Sequence, residues 1–123
     1  MEPSNEVLEA FATAQRLLRA NRPVEYEVTP DYFKVHLPGK PGLSVCRLID
    51  FGGPHPSVVV PLPAEMVTNL VPLLDASPLG PRWSRIAMAT SHDIRVIGPA
   101  LCAAWDACDD ASAAGGQETE PSG

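Results

Sequence analysis

The residue types of a Ser-His-Asp hydrolase triad stand side by side at Ser91, His92 and Asp93. Adjacent side chains point in different directions, whereas a working triad is assembled from separate segments so that nucleophile, base and orienting acid converge. We therefore interpret the match as chance. Ser91 or Asp93 is expected to cap a helix instead, because both residue types accept hydrogen bonds from the N–H groups of a helix start.

The three cysteines, Cys46, Cys102 and Cys108, do not form a metal or redox motif. Cys102 and Cys108 would be rotated well apart on a helix, and no neighbouring His or Cys pair completes a tetrahedral set. A cysteine nucleophile would need a histidine beside Cys46 in the fold, which chain order neither supports nor excludes. We expect reduced thiols that pack as small apolar groups, and histidines on the surface.

Two further short patterns have simple structural interpretations. Gly52-Gly53 is followed by Pro54, which removes a backbone donor that a phosphate-binding loop needs, so a turn is expected. Glu25 and Glu27 share one face of a predicted strand and could approach a substrate or cation. A solvent-facing strand edge, protected from aggregation by like charges, explains them equally well. These residues predict no cofactor and no metal.

Composition restricts the classes of function. The chain has 123 residues, of which 45% are apolar, which is enough for one hydrophobic core. Its formal net charge is −6, and no run of Lys and Arg offsets this, so direct nucleic-acid binding is disfavoured. The N-terminus carries no secretion-signal pattern and no segment is apolar for long enough to span a bilayer, so a cytoplasmic location without membrane association is expected.

The first half of the chain predicts a helix followed by antiparallel strands. From Ser4 to Asn21, apolar residues recur at helical spacing behind a possible Ser4 or Asn5 cap. Alternation then predicts strands at 24–28, 32–37 and 43–49, joined by turns rich in Pro and Gly. A short fourth strand at 57–60 is limited by the prolines after it.

The second half predicts helices. One opens at Pro63 and should kink or break at Pro72. Residues 77–81 are a predicted loop, and 82–89 fit a helix or a strand about equally well, of which we choose the helix. A last helix opens at Pro99. The predicted fold is α+β: an N-terminal helix, an antiparallel meander of three to four strands, then two or three helices packed on one face. The domain covers 1–112 and a disordered tail 113–123.

Apolar residues exceed the obvious needs of the core between Val58 and Leu79 and in the last helix. Some of them would then cover a dimer or partner interface, although all of them could equally fill the core. Trp83, flanked by two arginines, is the best anchor candidate because Trp and Arg are enriched at binding hot spots. The predicted partner-binding residues are Arg82, Trp83, Arg85, Met66, Leu70, Leu74 and Trp105.

These features favour a small non-enzymatic regulator that sequesters another protein, of the anti-activator or inhibitor type, acting for example on a transcriptional regulator. A homodimer is compatible with the same apolar residues. A second hypothesis is a small-molecule-binding or hydrolytic domain with a pocket between sheet and helices, and a third is a subunit of a phage, plasmid or secretion assembly. The residues expected near the mouth of that pocket are Tyr26, Tyr32, His36 and Cys46.

Overall fold

The computed structural model describes residues 3–113. The elements follow in the order α1 (Asn5–Leu18), β1 (Glu25–Val28), β2 (Phe33–Leu37), β3 (Lys40–Ile49), β4 (Ser57–Val60), α2 (Ala64–Leu70), β5 (Ala76–Pro78), β6 (Ser84–Ala87), a 3₁₀ helix (Ser91–Val96) and α3 (Gly98–Ala113). Within this part of the chain, every helix falls short of the length and apolar character that crossing a bilayer requires. The predicted disordered tail, 113–123, lies outside the described residues except for Ala113, which ends α3.

The strands form one six-stranded sheet in the order β1-β2-β3-β4-β6-β5, with every neighbouring pair antiparallel. The first four strands lie in chain order, which confirms the predicted meander. The α+β class is therefore shown, and the sheet is larger than the sequence predicted. Its two additional strands come from the segment between α2 and the 3₁₀ helix.

The predicted helix at 82–89 is wrong, since this segment forms β6 between β4 and β5. Ser84 and Ile86 are buried while Arg85 and Ala87 are exposed, which is the period-two pattern of a strand. The predicted loop at 77–81 also begins inside a strand, β5. Pairing of β6 with β4, and of β5 with β6, decided these outcomes, because a short segment of ambiguous periodicity takes its conformation from its neighbours in the sheet.

Two adjacent rows of side chains cross all six strands on opposite faces of the sheet. The apolar row consists of Val28, Phe33, Leu48, Val58, Ile86 and Ala76. The charged row consists of Glu27, Lys34, Arg47, Val59, Arg85 and Ser77. Because consecutive residues of a strand point to opposite faces, this register separates an apolar face from a polar one.

The helices cover the apolar face. Phe33 and Leu48 of the apolar row belong to the same buried cluster as Leu18 of α1, Val67 of α2 and Leu101 of α3. Val59 of the charged row is buried but lies outside that cluster. The helices therefore pack on one side of the sheet, as predicted, and leave the face that carries the charged row without a helix among residues 3–113.

Helix α1 begins where the sequence predicts. The Ser4 hydroxyl accepts a hydrogen bond from the Val7 amide at 3.2 Å, and Val7, Ala10, Ala14 and Leu18 form its buried stripe. The helix ends at Leu18, with Arg19 as C-cap, rather than continuing to Asn21.

Prolines and a capping box set the limits of the later helices. Helix α2 has Pro63 as its N-cap and ends two residues before Pro72, which confirms the predicted break. In the 3₁₀ helix, Thr90 is the N-cap and Asp93 completes the capping box, so the predicted cap role of Asp93 is confirmed. Ser91 does not serve as the N-cap.

We expect Leu101→Ala to lower the free energy of unfolding by about 2–5 kcal/mol, because Leu101 is 0% exposed and truncation leaves a cavity in the core. Leu73→Ala is the matched control: Leu73 is 82% exposed, so its truncation should change stability by less than about 0.5 kcal/mol. Urea unfolding of both variants measures the difference. Equal losses would contradict this placement of α3.

Candidate functional site

Strand register brings together basic residues that are far apart in the sequence. Lys34 lies opposite Arg47, Arg47 lies opposite Val59, and Val59 lies opposite Arg85. Three basic side chains thus share one row on the sheet face without helices, although the sequence contains no basic run. Sequence reasoning missed this grouping because it depends on which strands pair.

Arg47 is held between two aromatic rings at the centre of that face. Its Cζ atom lies 4.6 Å from the ring centroid of Tyr32 and 5.3 Å from that of Trp83, within the range of cation–π attraction. Arg47 is 8% exposed and Trp83 is 2% exposed. The indole that the sequence nominated as an interface anchor therefore packs against this protein's own arginine and offers a partner almost no surface.

Acidic residues at the β1 end of the same face are engaged in local contacts. A Glu27 carboxylate oxygen lies 3.7 Å from Lys34 Nζ, and a Glu25 carboxylate oxygen accepts a hydrogen bond from the Gly39 amide at 2.9 Å. These contacts support the interpretation of the Glu25/Glu27 pair as a solvent-facing strand edge. They do not create a paired-carboxylate site.

An apolar surface borders the other end of the sheet. Leu73 is 82% exposed and Met66 is 44% exposed, and the same segment, α2 and the residues just after it, carries the half-buried Leu70 and Leu74. We call these four residues the α2 patch. Helix α2 packs beside β5, the last strand of the sheet, and Leu74 and Ala76 contact the core from this side. Three predicted partner-binding residues, Met66, Leu70 and Leu74, thus belong to one surface.

Two predicted arginines lie by the same edge. Arg85 of β6 is exposed and stands opposite Ser77 of β5, and Arg82 is exposed just before β6. The edge of the sheet at β5 therefore has apolar side chains of the α2 patch on its helix side and the guanidinium of Arg85 on its other side. We call the α2 patch together with Arg82 and Arg85 the β5-edge surface.

The backbone of β5 restricts how a partner can bind there. Leu79 donates its N–H to the Trp83 carbonyl at 2.8 Å, and Ala87 donates to the Asp75 carbonyl at 3.1 Å. In an antiparallel ladder the intervening residues direct their backbone groups outward, here Ala76 and Pro78. Since Pro78 has no N–H, the free edge is a poor template for an added strand, and contact must come mainly from side chains.

Trp105, the last predicted partner-binding residue, belongs to a different part of the surface. Its indole Nε1 donates to the Pro23 carbonyl at 2.9 Å, which ties α3 to the chain that follows α1. It is half-buried. Five of the seven predicted residues belong to the β5-edge surface. Trp83 is buried against Arg47, and Trp105 of α3 contacts the chain that follows α1.

The cysteines are not activated for chemistry. Burial, with a smaller contribution from Cys108, raises the pKa of the Cys46 thiol to about 12, the opposite of what a nucleophile requires. The Cys108 thiol donates to the Ser44 carbonyl at 3.3 Å, and the Cys102 thiol lies 3.8 Å from the Leu17 carbonyl. All three are reduced thiols in packed positions.

The residues expected at a pocket mouth lie on two faces of the sheet. Tyr26 and Cys46 both stand opposite Val35, on the helix side, where the Tyr26 ring stacks on Phe33 at 4.7 Å between centroids. Tyr32 instead contacts Arg47 on the other face, and His36 follows Val35 and therefore points to that face as well. The four side chains do not converge on one pocket.

The Gly52-Gly53 segment forms a turn, as predicted. Gly52 has a φ of +92°, and the Gly53 amide donates to the Asp50 carbonyl at 2.9 Å. The Asp50 carboxylate accepts the His55 amide at 2.9 Å and lies against Gly53, where it would repel a phosphate. The turn directs the chain from β3 to β4.

Similarity to known proteins adds no functional information. No protein-family model matches the sequence, and no curated protein or solved structure is significantly similar to it. Across residues 3–113, no group of three or more His, Cys, Asp or Glu side chains is placed to hold a metal ion. The function must be argued from the surfaces themselves.

We expect the stability of the protein to fall as the pH rises from about 9 toward 12, with Cys46 as one cause. The thiol of the unfolded chain ionises near its ordinary pKa of 9.0, whereas the folded thiol keeps its proton until about 12. The folded state therefore binds more protons in this window, which lowers the free energy of unfolding with increasing pH. Denaturant titrations of wild type and Cys46→Ala measure the two slopes. The variant should show the shallower slope, and identical slopes would contradict the assignment.

Proposed function

We propose that this protein is a non-enzymatic regulator that binds and sequesters another protein through the β5-edge surface. The observation that carries the proposal is the 82% exposure of Leu73 beside the 44% exposure of Met66. Both side chains lie at one edge of the sheet, next to two further half-buried leucines. Contiguous apolar groups exposed in this way are typical of interaction sites.

The chemistry of the surface indicates the kind of partner. Burial of a Leu or Met side chain contributes about 1.5–3 kcal/mol, so the α2 patch supplies affinity. The exposed Arg82 and Arg85 supply specificity, because guanidinium groups pair with carboxylates and are enriched at binding hot spots. The partner that fits is a protein segment that presents apolar side chains flanked by Asp or Glu.

A different protein fits the β5-edge surface better than a second copy. A two-fold dimer uses the same patch from both copies, and the six residues of the β5-edge surface include two arginines but no Asp or Glu to pair with them. Each copy also carries a formal net charge of −6, so two copies repel. A different protein that exposes acidic residues beside its own apolar surface would instead pair those residues with Arg82 and Arg85.

Sequestration follows from the type of contact. A partner that exposes an apolar, acid-flanked surface when alone normally buries that surface in its own assembly, as transcriptional regulators do when they dimerise. Covering this surface with the α2 patch would block the assembly without any chemical step. The protein would then act as an anti-activator or inhibitor in proportion to its concentration.

The test is affinity purification with mass spectrometry, performed in parallel with wild type, Met66→Asp/Leu73→Asp and Val96→Asp. Val96 is the matched control, since it is 43% exposed but lies on the 3₁₀ helix. We expect one protein to be retained by wild type and by Val96→Asp and to be lost with the double variant. With the purified partner, the affinity should fall by about 100-fold or more, because two apolar contacts are replaced by charges that also repel acidic groups.

Light scattering and a partner assay complete the test. The complex should have the mass of a hetero-complex, and the partner's own assembly or activity should decline as it forms. Circular dichroism checks that the double variant is folded. Capture that the double variant leaves intact would overturn the proposal, as would a stable homodimer that the double variant dissociates.

A further inference from the structure

We propose a second, separate binding site, for a small molecule that carries two or more phosphoryl groups, in the cavity at the C-terminal end of α1. The cavity is open to solvent and has a volume of about 630 Å³. Residues between 12 and 24 line it, and Arg16, Arg19 and Arg22 are among them. Cavities of this size accommodate small-molecule ligands.

The charge of the lining is unusual for this chain. The protein has 9 Lys and Arg residues against 15 Asp and Glu, yet the lining contributed by residues 3–113 contains three arginines and no acidic residue. Like charges that line one cavity repel one another, and a bound anion reduces that repulsion. A phosphorylated ligand therefore has an electrostatic advantage in this cavity.

Arg22 is fixed in a charged and oriented state. Its Nε and Nη2 donate to the two carboxylate oxygens of Asp106 at 3.1 and 3.2 Å. This side-on contact does not involve Nη1. The guanidinium is charged at every accessible pH, and the hydrogen bond with Asp106 raises its pKa further. Asp106 neutralises one of the three charges. Arg16 donates from Nη2 to the Thr13 hydroxyl at 3.0 Å, a neutral partner, so Arg16 and Arg19 keep the other two.

The backbone of Arg19 is held in a conformation that favours glycine. Its φ of 67° and ψ of 176° lie in a region that is essentially restricted to Gly, although the residue carries a long side chain. Glycine is also the common residue just past a helix end. An arginine in this position therefore lowers the stability of the folded state. Its place among the residues that line the cavity gives it a functional role there.

The helix dipole does not account for the three arginines. Cations are stabilised within the last turn of a helix, which explains Arg16. Arg22 lies beyond the helix and Arg19 is the strained C-cap. Phosphoryl groups match the planar, bidentate donors of guanidinium. Because two of these positive charges have no ion-pair partner among residues 3–113, a diphosphate fits better than a single phosphate.

The test is titration calorimetry of the whole protein with inorganic pyrophosphate and with ADP, at low ionic strength and without divalent cations. Wild type is compared with Arg16→Gln, Arg19→Gly and the control Arg95→Gln, an exposed arginine on the 3₁₀ helix that does not line the cavity. Arg22 is left unchanged, because its ion pair with Asp106 connects the chain to α3.

We expect both probes to bind wild type with a Kd below about 1 mM, and Arg16→Gln and Arg19→Gly each to weaken binding by at least about tenfold. Arg95→Gln should bind as wild type does. Arg19→Gly should also raise the melting temperature of the unliganded protein, because glycine relieves the backbone strain. If Arg19→Gly binds more weakly although it is more stable, the loss of affinity comes from the missing ligand contact and not from damage to the fold.

Three results would overturn this site. The first is no binding of either probe at about 1 mM, and the second is affinity that is unaffected by Arg16→Gln and Arg19→Gly. The third is a single-stranded oligonucleotide that binds more tightly than ADP and depends on the same two arginines, which would assign the cavity to nucleic acid. Failure of the partner-capture experiment would leave this site untouched, since the β5-edge surface shares no residue with it.

Discussion

The register of the six-stranded sheet is the constraint on which the rest of the structure depends. The apolar row and the charged row are built from sequence neighbours, such as Leu48 and Arg47 or Ile86 and Arg85. A slip of one residue in β1, β2, β3 or β6 would exchange the two rows in that strand and place a charge under the helices. Every strand pairing therefore places apolar side chains on the same face of the sheet, and the helices cover that face.

Because the described helices pack on one side of the sheet, the other face is covered by side chains of its own strands and loops. Arg47 lies mid-sheet, where burial of a charge is costly unless the charge is compensated. The rings of Tyr32 and Trp83 surround its guanidinium and replace part of its hydration with cation–π attraction. Val59, which stands opposite Arg47 in the register, is also buried on this face, at 2% exposure. For this reason Trp83 is structural, whereas its sequence neighbours Arg82 and Arg85 remain available at the surface.

Local signals were sufficient to predict α1, the four-stranded meander and the limits of α2, because a Ser cap, period-two alternation and prolines act within a few residues. They were insufficient for β5 and β6. Residues 82–89 carry a pattern that fits helix or strand, and β5 includes Pro78, which is typical of a loop. β6 became a strand through pairing with β4, and β5 through pairing with β6, and neither pairing is visible in the sequence of the segment itself.

The candidate sites, like the fold, could be predicted from the sequence only in part. Met66, Leu70 and Leu74 were chosen because apolar residues between Val58 and Leu79 exceed the obvious needs of the core, and all three lie in or just after α2. The burial of Trp83 and the exposure of Leu73 required the tertiary structure. The basic row was beyond sequence reasoning because its members come from three strands. Arg16, Arg19 and Arg22 were within reach, since their spacing of three residues is visible, but in the sequence alone the helix dipole is a sufficient explanation of the first two.

The short edge strand connects the fold to the proposed mode of binding. With Pro78 facing outward, β5 cannot add a continuous backbone ladder, which would bind many sequences alike. In the proposed mode of binding, side chains would recognise the partner, with Leu73 and Met66 on one side of the strand and Arg85 on the other. Apolar groups and cations flank the edge from opposite faces of the sheet, so only a partner that presents both apolar and acidic groups would engage them together. The edge would then select its partner without serving as a template for aggregation.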